Sequence, residues 1–210
     1  MSIRYEDERR QMVEVQLRAR GVRDPRVLEA MARVPRDLFV PESERAFAYA
    51  DEPLPIGGGQ TISQPYIVAY MTEALRLSGK EKVLEVGTGS GYQAAVLAAL
   101  AREVLTIEVI DSLSRAARAR LEAAGYGNIR FRVGDGSLGW PEEAPFDAIM
   151  VTAAAAEIPE ALEAQLGVGG RMIIPVGTEF QELFLVKRRR KGLERVRLIG
   201  VRFVPLVSVH

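Results

Sequence analysis

Three glycines at alternate positions, Gly87, Gly89 and Gly91, follow the apolar run Val83–Val86 and lead directly into an Ala/Leu-rich stretch from Gln93 to Ala101. That order reads as a strand, a tight turn and a helix start. Glycine has no Cβ and tolerates positive φ, so such a turn lets backbone close on a nucleotide-like ligand. The spacing is GxGxG. A dinucleotide fingerprint is GxGxxG, and Tyr92 stands where its third glycine would be. A second strand, Val104–Ile107, closes with Glu108, whose carboxylate can accept from both hydroxyls of a ribose. Glu85 lies on the strand just before the turn, placed to organise it or to meet a ligand's amino group. Gly134-Asp135-Gly136 follows a third strand. Asp135 can accept from an adenine amino group there and Gly136 lets backbone approach the ring, with an ordinary Asp-Gly turn as the alternative. The set suits S-adenosylmethionine better than a pyrophosphate cofactor: that molecule has no phosphate, so the loop need not form an anion nest.

A second segment carries chemistry of a different kind. Gly57 to Ser63 is a glycine-rich loop ending Gln60-Thr61-Ile62-Ser63. Irregular loops on a rigid scaffold are where function concentrates. The hydroxyls of Thr61 and Ser63, with exposed loop N–H groups, are the groups that would hold a carboxylate. Ser63, two residues before Pro65, suits a helix N-cap equally well.

Absences narrow the chemistry further. The chain has no cysteine, and its one histidine is the last residue, His210. Thiol nucleophiles, Cys/His metal sites, disulfides and a Ser-His-Asp triad are therefore set aside, and no metal is expected. Carboxylates, hydroxyls, backbone groups and a cofactor remain. The 28 Lys and Arg balance the 28 Asp and Glu to a formal net charge of zero, so neither a nucleic-acid nor a membrane partner is expected. The basic run Lys187–Lys191 reads as the solvated tip of a hairpin rather than as a nucleic-acid patch. No apolar run is long enough to span a bilayer, and the charged N-terminal segment lacks a signal-peptide core, so a cytoplasmic place is expected.

The elements that must position these groups follow from periodicity. Helices are expected over 4–20, 25–34 and 66–77, with 51–65 irregular because it holds three prolines and three consecutive glycines. From residue 80 the texture alternates: strand 82–86, helix 92–101, strand 103–108, helix 111–124, strand 129–133, loop 134–145, strand 147–152, helix 158–166 and strand 170–175. Strands over 181–188 and 193–203 then close the chain as a hairpin. Alternation of this kind argues an α/β fold, a Rossmann-like doubly wound, mostly parallel sheet with extra N-terminal helices and a C-terminal antiparallel hairpin. One domain is expected over 1–210, with helices and substrate loop in 1–79 and the cofactor-binding core and last strands in 80–210.

With these segments placed, the chain resembles the protein-L-isoaspartate O-methyltransferase family, which repairs damaged proteins. The matching pieces are Arg33-Val34-Pro35-Arg36, Phe39-Val40-Pro41, Leu54–Gly57, Gly59–Pro65, Val83–Leu97, Gly134–Gly136, Ala144–Ile149, Val151–Ala154 and Val201–Val207. They span about residues 10–207. The GxGxG loop is shared with many methyltransferases, whereas the Gly-Gln-Thr-Ile-Ser loop and the Val-Arg-Phe-Val-Pro-Leu tail are specific to this family.

The resemblance implies that Ser63 is the active-site serine, that Gln60, Thr61 and Val204 meet the substrate, and that the C-terminal strand order is rearranged. It places Ile62, Glu85, Gly87, Thr88, Gly89, Glu108, Asp135 and Gly136 on the cofactor side. It also implies methyl transfer from S-adenosylmethionine to the α-carboxylate of L-isoaspartyl residues in damaged proteins and peptides, leaving S-adenosyl-L-homocysteine, by a monomer. The methyl ester would then close to a succinimide and reopen in part to normal aspartate. The residues agree with this. A carboxylate with a pKa near 4 is already anionic at neutral pH, so no general base is required of a chain with no usable His or Cys. The fourth strand ends Val151-Thr152-Ala153-Ala154 rather than in an Asp or Asn followed by prolines and an aromatic, which argues against methylation of amines or bases. A small-molecule or RNA methyltransferase, or a non-catalytic cofactor-binding module, are the rival classes on the same fold.

Overall fold

A computed structural model describes residues 3–207 of the chain, so His210 lies outside the described residues. Helix α1 (Ile3–Gln11) runs on through a π-helical turn (Met12–Leu17) and a 3-10 turn (Arg18–Arg20) before Gly21, at φ 97°, ends it. The helix expected over 4–20 is thus continuous but changes pitch, which swings Met12, Val13 and Leu17 together onto the core. Helix α2 (Pro25–Arg33) begins where the sequence signals it: Asp24 accepts from the Arg26 amide at 2.9 Å and Pro25 fills the first position.

The segment 51–65 departs from the irregular loop expected of it. It forms a small antiparallel hairpin, β1 (Leu54–Gly57) with β2 (Gln60–Ile62), in which Leu54 pairs with Ile62. Gly57, Gly58 and Gly59 all take positive φ in the turn, the conformation that consecutive glycines make cheap. Burial of Leu54 and Ile62 supplies the apolar face that the prolines obscured. Helix α3 (Pro65–Leu75) follows and stops at Arg76, which is left-handed at φ 51°.

The remaining elements are β3 (Lys82–Val86), α4 (Tyr92–Ala98), β4 (Glu103–Glu108), α5 (Asp111–Ala123), β5 (Ile129–Val133), β6 (Phe146–Val151), α6 (Glu160–Gln165), β7 (Leu166–Val176), β8 (Gln181–Arg189) and β9 (Gly192–Val201). Seven strands form one sheet in the order β5-β4-β3-β6-β7-β8-β9. The first five are parallel, and β8 and β9 add antiparallel. Strand β7 starts at Leu166, four residues ahead of the expected position, and shortens α6. Gly167 and Gly170 allow this, since a Cβ on either would press on carbonyl oxygens of 146, 147 or 167. The tip between β8 and β9 is solvated as expected, with Lys187 and Arg189 bonded to Glu194.

Alternate residues of the inner strands feed two cores. Val83, Val104, Met150 and Ile173 pack with the N-terminal helices, α3 and α4, while Leu84, Leu105, Ile149 and Met172 pack with Leu162 of α6. The chain steps outward from β3 to β4 and β5, then returns to the other side of β3 with β6. That reversal opens a crevice at the carboxyl ends of the strands.

Gly91 shows how tightly the turn is bound to this packing. It sits at φ 89°, and a Cβ there would lie 3.0 Å from Leu121 Cδ1 and 3.3 Å from Ala117 Cβ. Gly125 has φ 84° with open space around it. Gly125→Ala should lose about 1–2 kcal/mol from backbone strain alone, and Gly91→Ala should lose more, because α5 must also shift. Urea unfolding midpoints of the two variants compare them directly; equal losses would mean that α5 yields freely.

Candidate active site

The loops that follow β3, β4, β5 and β6 surround a cavity of about 760 Å³ including its open mouth, closed from above by β2 and by the segment Val204–Val207. Of the residues singled out from sequence, Gln60, Thr61, Ile62, Ser63, Gly87, Thr88, Gly89, Glu108, Gly136 and Val204 line it. Glu85 and Asp135 are absent from the lining.

The glycine loop is held by its own amides. Gly87 N–H donates to the Ile107 carbonyl, Gly89 N–H to Glu108 Oε2 and Gly91 N–H to the Thr88 carbonyl, each at 2.8 Å. With those three donors committed to the protein, the loop has fewer amides to offer a pyrophosphate. Thr152, at the end of β6, clamps the same loop: its hydroxyl lies 2.7 Å from the Gly87 carbonyl and 3.0 Å from that of Val86. A Cβ on Gly87 would meet that hydroxyl at 2.4 Å. Arg120 of α5 adds a bond to the Ser90 carbonyl at 2.6 Å.

Glu108 is 6 % exposed and bonds two backbone amides, Gly89 through Oε2 and Ile110 through Oε1 at 3.0 Å. A carboxylate oxygen has two acceptor sites, so each retains one. Two vicinal hydroxyls match that remainder. Gly136 also lines the cavity, but its lack of a side chain is required by Val86, whose Cγ1 would lie 2.4 Å from a Cβ. Asp135 caps the short turn Gly136–Leu138, accepting from the amide and hydroxyl of Ser137 at 2.8 and 2.6 Å. These groups fit an adenosine: a diol acceptor pair, a small-residue edge for the ring and no phosphate cradle.

Glu85 lies beneath the loop, fully buried. Its Oε2 accepts from Thr106 Oγ1 at 2.5 Å, and Thr106 Oγ1 lies 2.7 Å from Thr88 Oγ1. Its Oε1 has no hydrogen-bond partner. Burial pushes the Glu85 carboxyl up to about 8; the Thr106 bond offsets part of this and the charge of Glu108 adds to it. Thr106 was not read as a site residue from sequence. The one hydroxyl among the apolar side chains of Val104–Ile107 is the signal that could have found it.

Ser63 follows β2 and precedes Gln64, the residue that caps α3. No side chain bonds the open amides of that cap, so the capping role that the sequence left open for Ser63 is not the one it plays. A second groove of about 850 Å³ lies outside the first, bounded by Arg20, Tyr66, Ile199, Arg202 and Phe203. Thr61, Ser63, Thr152 and Val204 line both. Val204 is held there from two sides. Its carbonyl accepts from Ala154 N–H at 2.8 Å, and the Gln181 side chain brackets the backbone of Phe203, accepting at 2.6 Å and donating at 3.1 Å. Gln181 too escaped the sequence reading. Among the described residues no group of three or more acidic, His or Cys side chains could hold a metal ion.

The burial of Glu85 has a consequence for stability. A carboxyl raised from 4.5 to about 8 in the folded chain contributes stability that is whole below pH 4.5 and is lost as pH rises through about 8. Melting temperatures of the unliganded protein and of Glu85→Gln, taken from pH 5 to 9, should therefore diverge, the wild type falling relative to the variant. Parallel curves would mean the carboxyl is already ionised.

The chain matches the family model described as protein-L-isoaspartate(D-aspartate) O-methyltransferase over residues 7–210. A protein-L-isoaspartate O-methyltransferase from Picosynechococcus is 58% identical over 94% of this chain and 89% of its own. Another, from Pelobacter propionicus, is 56% identical over 100% and 95%. A solved structure described as a protein-L-isoaspartate O-methyltransferase superposes with a TM-score of 0.86 at 31% identity, over 95% of this chain and 66% of that one. A Plasmodium falciparum structure described as the same enzyme type in complex with S-adenosyl-L-homocysteine gives 0.84 at 26% identity, over 96% and 99%.

Proposed function

The chain belongs to the protein-L-isoaspartate(D-aspartate) O-methyltransferase family, and from that premise we propose that Ser63 presents the substrate carboxylate at the boundary between the two grooves. The activity is methyl transfer from S-adenosylmethionine to isoaspartyl residues of damaged proteins. The observation that supports the proposed site is that Thr61, Ser63 and Val204 line both the cofactor cavity and an outer groove of about 850 Å³ open to the surface. A peptide in the outer groove would bring the carboxylate that branches from its backbone inward past Ser63.

When bound, S-adenosylmethionine supplies an electrophilic methyl group on a sulfonium sulfur. Glu108 would accept from its ribose hydroxyls, Gly87, Thr88 and Gly89 would line its amino-acid end, and Ile62 and Gly136 its adenine end, with Asp135 behind them shaping the turn that holds Gly136. Ser63 and Thr61 would donate to one oxygen of the substrate carboxylate, with the Val204 backbone and the Gln60 side chain beside them. Ser63 orients and does not attack, since the carboxylate is itself the nucleophile. Closure of the cavity by β2 and Val204–Leu206 keeps water away, which favours attack of an anion on a cation. Positioning of this kind is worth about 7–11 kcal/mol in well-oriented systems. The proposal extends to one domain over 1–210, acting as a monomer in the cytoplasm, with no nucleic-acid or membrane partner; the formal net charge of zero supports the last of these. Among the described residues no helix is long and apolar enough to cross a membrane.

Two measurements test the reading. An isoaspartyl peptide should accept methyl groups and its aspartyl twin should not; equal transfer to both, or none to either, overturns the assignment. Ser63→Ala should lose about tenfold to a hundredfold in kcat, as for one or two lost charge-assisted bonds, while its affinity for S-adenosylmethionine stays the same. An unchanged kcat would remove Ser63 from the site.

A further inference from the structure

Glu85 is a fully buried carboxyl with one oxygen unpartnered, and it is joined to the cavity by two hydroxyls in series. Each hydroxyl has a single proton, so the series has a direction. With Glu85 ionised, Thr106 donates to it and Thr88 donates to Thr106. Thr88, which lines the cavity, then turns lone pairs outward. With Glu85 protonated on Oε2, the series reverses and Thr88 turns its proton outward instead. A cation in the cavity favours the first arrangement and opposes the second.

The groups around Glu85 leave its charge uncompensated. Strand β4 contributes Thr106 and the anionic Glu108, and Met150 lies opposite it on β6. The helices that cover this side of the sheet bring the neutral Thr72 and Gln93, bonded to each other at 3.0 Å, and the phenol of Tyr92, which burial pushes up to about 12. Among the described residues no lysine or arginine pairs with Glu85. The cation that would balance it has to come from outside.

We propose that Glu85 is a positioning residue that gives up its proton through the Thr106–Thr88 relay when the positively charged methyl donor binds, and takes one back when the neutral product remains. The inference rests on the reading of the cavity as the S-adenosylmethionine site. The proton passes to bulk buffer and the carboxylate keeps the electron pair. S-adenosylmethionine carries a sulfonium charge that S-adenosyl-L-homocysteine lacks. The relay therefore distinguishes donor from spent product by charge, holding the one and loosening on the other.

Isothermal titration of the full chain with S-adenosylmethionine near pH 7, in buffers of different ionisation enthalpy, reads the protons released. The wild type should release close to one per site, less with S-adenosyl-L-homocysteine, and Glu85→Gln close to none. Between pH 6 and 7 the wild-type Kd for S-adenosylmethionine should fall by up to about tenfold relative to that of Glu85→Gln, the limit for one linked proton. The ligand's own amino group titrates alike in both and cancels. Thr106→Val keeps the carboxyl but removes the hydrogen bond that stabilises its ionised form, so at equilibrium it should release less than half as much as the wild type. Full release from Thr106→Val, or none from a wild type that binds and transfers methyl groups normally, overturns this inference and leaves the assigned activity standing. Failure of the wild type to bind S-adenosylmethionine at all would instead overturn the reading beneath it.

Discussion

The carboxylate of Glu108 bonds Gly89 N–H on one loop and Ile110 N–H on another, and the glycine-loop end of the crevice depends on that bridge. A charged acceptor holding two backbone amides is stronger than two neutral bonds. It joins the turn after β3 to the start of α5, so both edges of the cavity move together. Thr152 closes the third side from β6. The glycines between these clamps serve the protein first: Gly87 makes room for Thr152 and Gly91 for α5. What they leave is a cavity in which three glycine amides are spent on the protein and Glu108 retains an acceptor site on each oxygen. That balance selects a diol and an unphosphorylated ligand.

The opposite wall, formed by β2 and the tail, is built by a different device. Nothing in β2 alone directs Ser63 inward; the hairpin does so because Leu54 and Ile62 are buried and pull its far strand over the cavity. The tail completes the enclosure by borrowing main-chain partners, Ala154 from the end of β6 and Gln181 from the start of β8. Two segments about 140 residues apart in sequence, 60–63 and 204–207, thereby form one wall. Chemistry that needs only orientation is well served by such a wall, since its groups come from backbone and short hydroxyl side chains with little freedom to lose.

Local features were legible where a residue type has one physical use. The alternate glycines after Val86, the Asp24-Pro25 helix start and the order of strands and helices beyond residue 80 all appear close to where pattern placed them. Three features lay outside what pattern showed, for a shared reason. The prolines and glycines of 51–65 signal irregularity in isolation, yet the two residues that make a hairpin of them are separated by seven positions. The early start of β7 depends on carbonyls of β6, and the pitch change after Gln11 depends on a core that α1 does not itself contain.

The sequence by itself determined the fold class and pointed to the cofactor, because these follow from spacing within short segments: GxGxG after a strand and an acid at the end of the next; the family was legible only through resemblance of the Gly59–Pro65 and Val201–Val207 segments. Only the tertiary structure decided what each polar group is free to do. Ser63 suited a helix cap by its spacing from Pro65, yet Gln64 holds that position and Ser63 lies along both grooves. Asp135 and Gly136 read as ligand contacts, yet Ser137 and Val86 account for much of their chemistry. Glu85 read either as organising the turn or as meeting a ligand's amino group, and it lies fully buried behind Thr106 and Thr88. The physical reason is the same in each case. A hydrogen-bonding group can be spent on the protein or offered to a ligand, and that allocation is settled by neighbours from distant strands, not by neighbours in the chain.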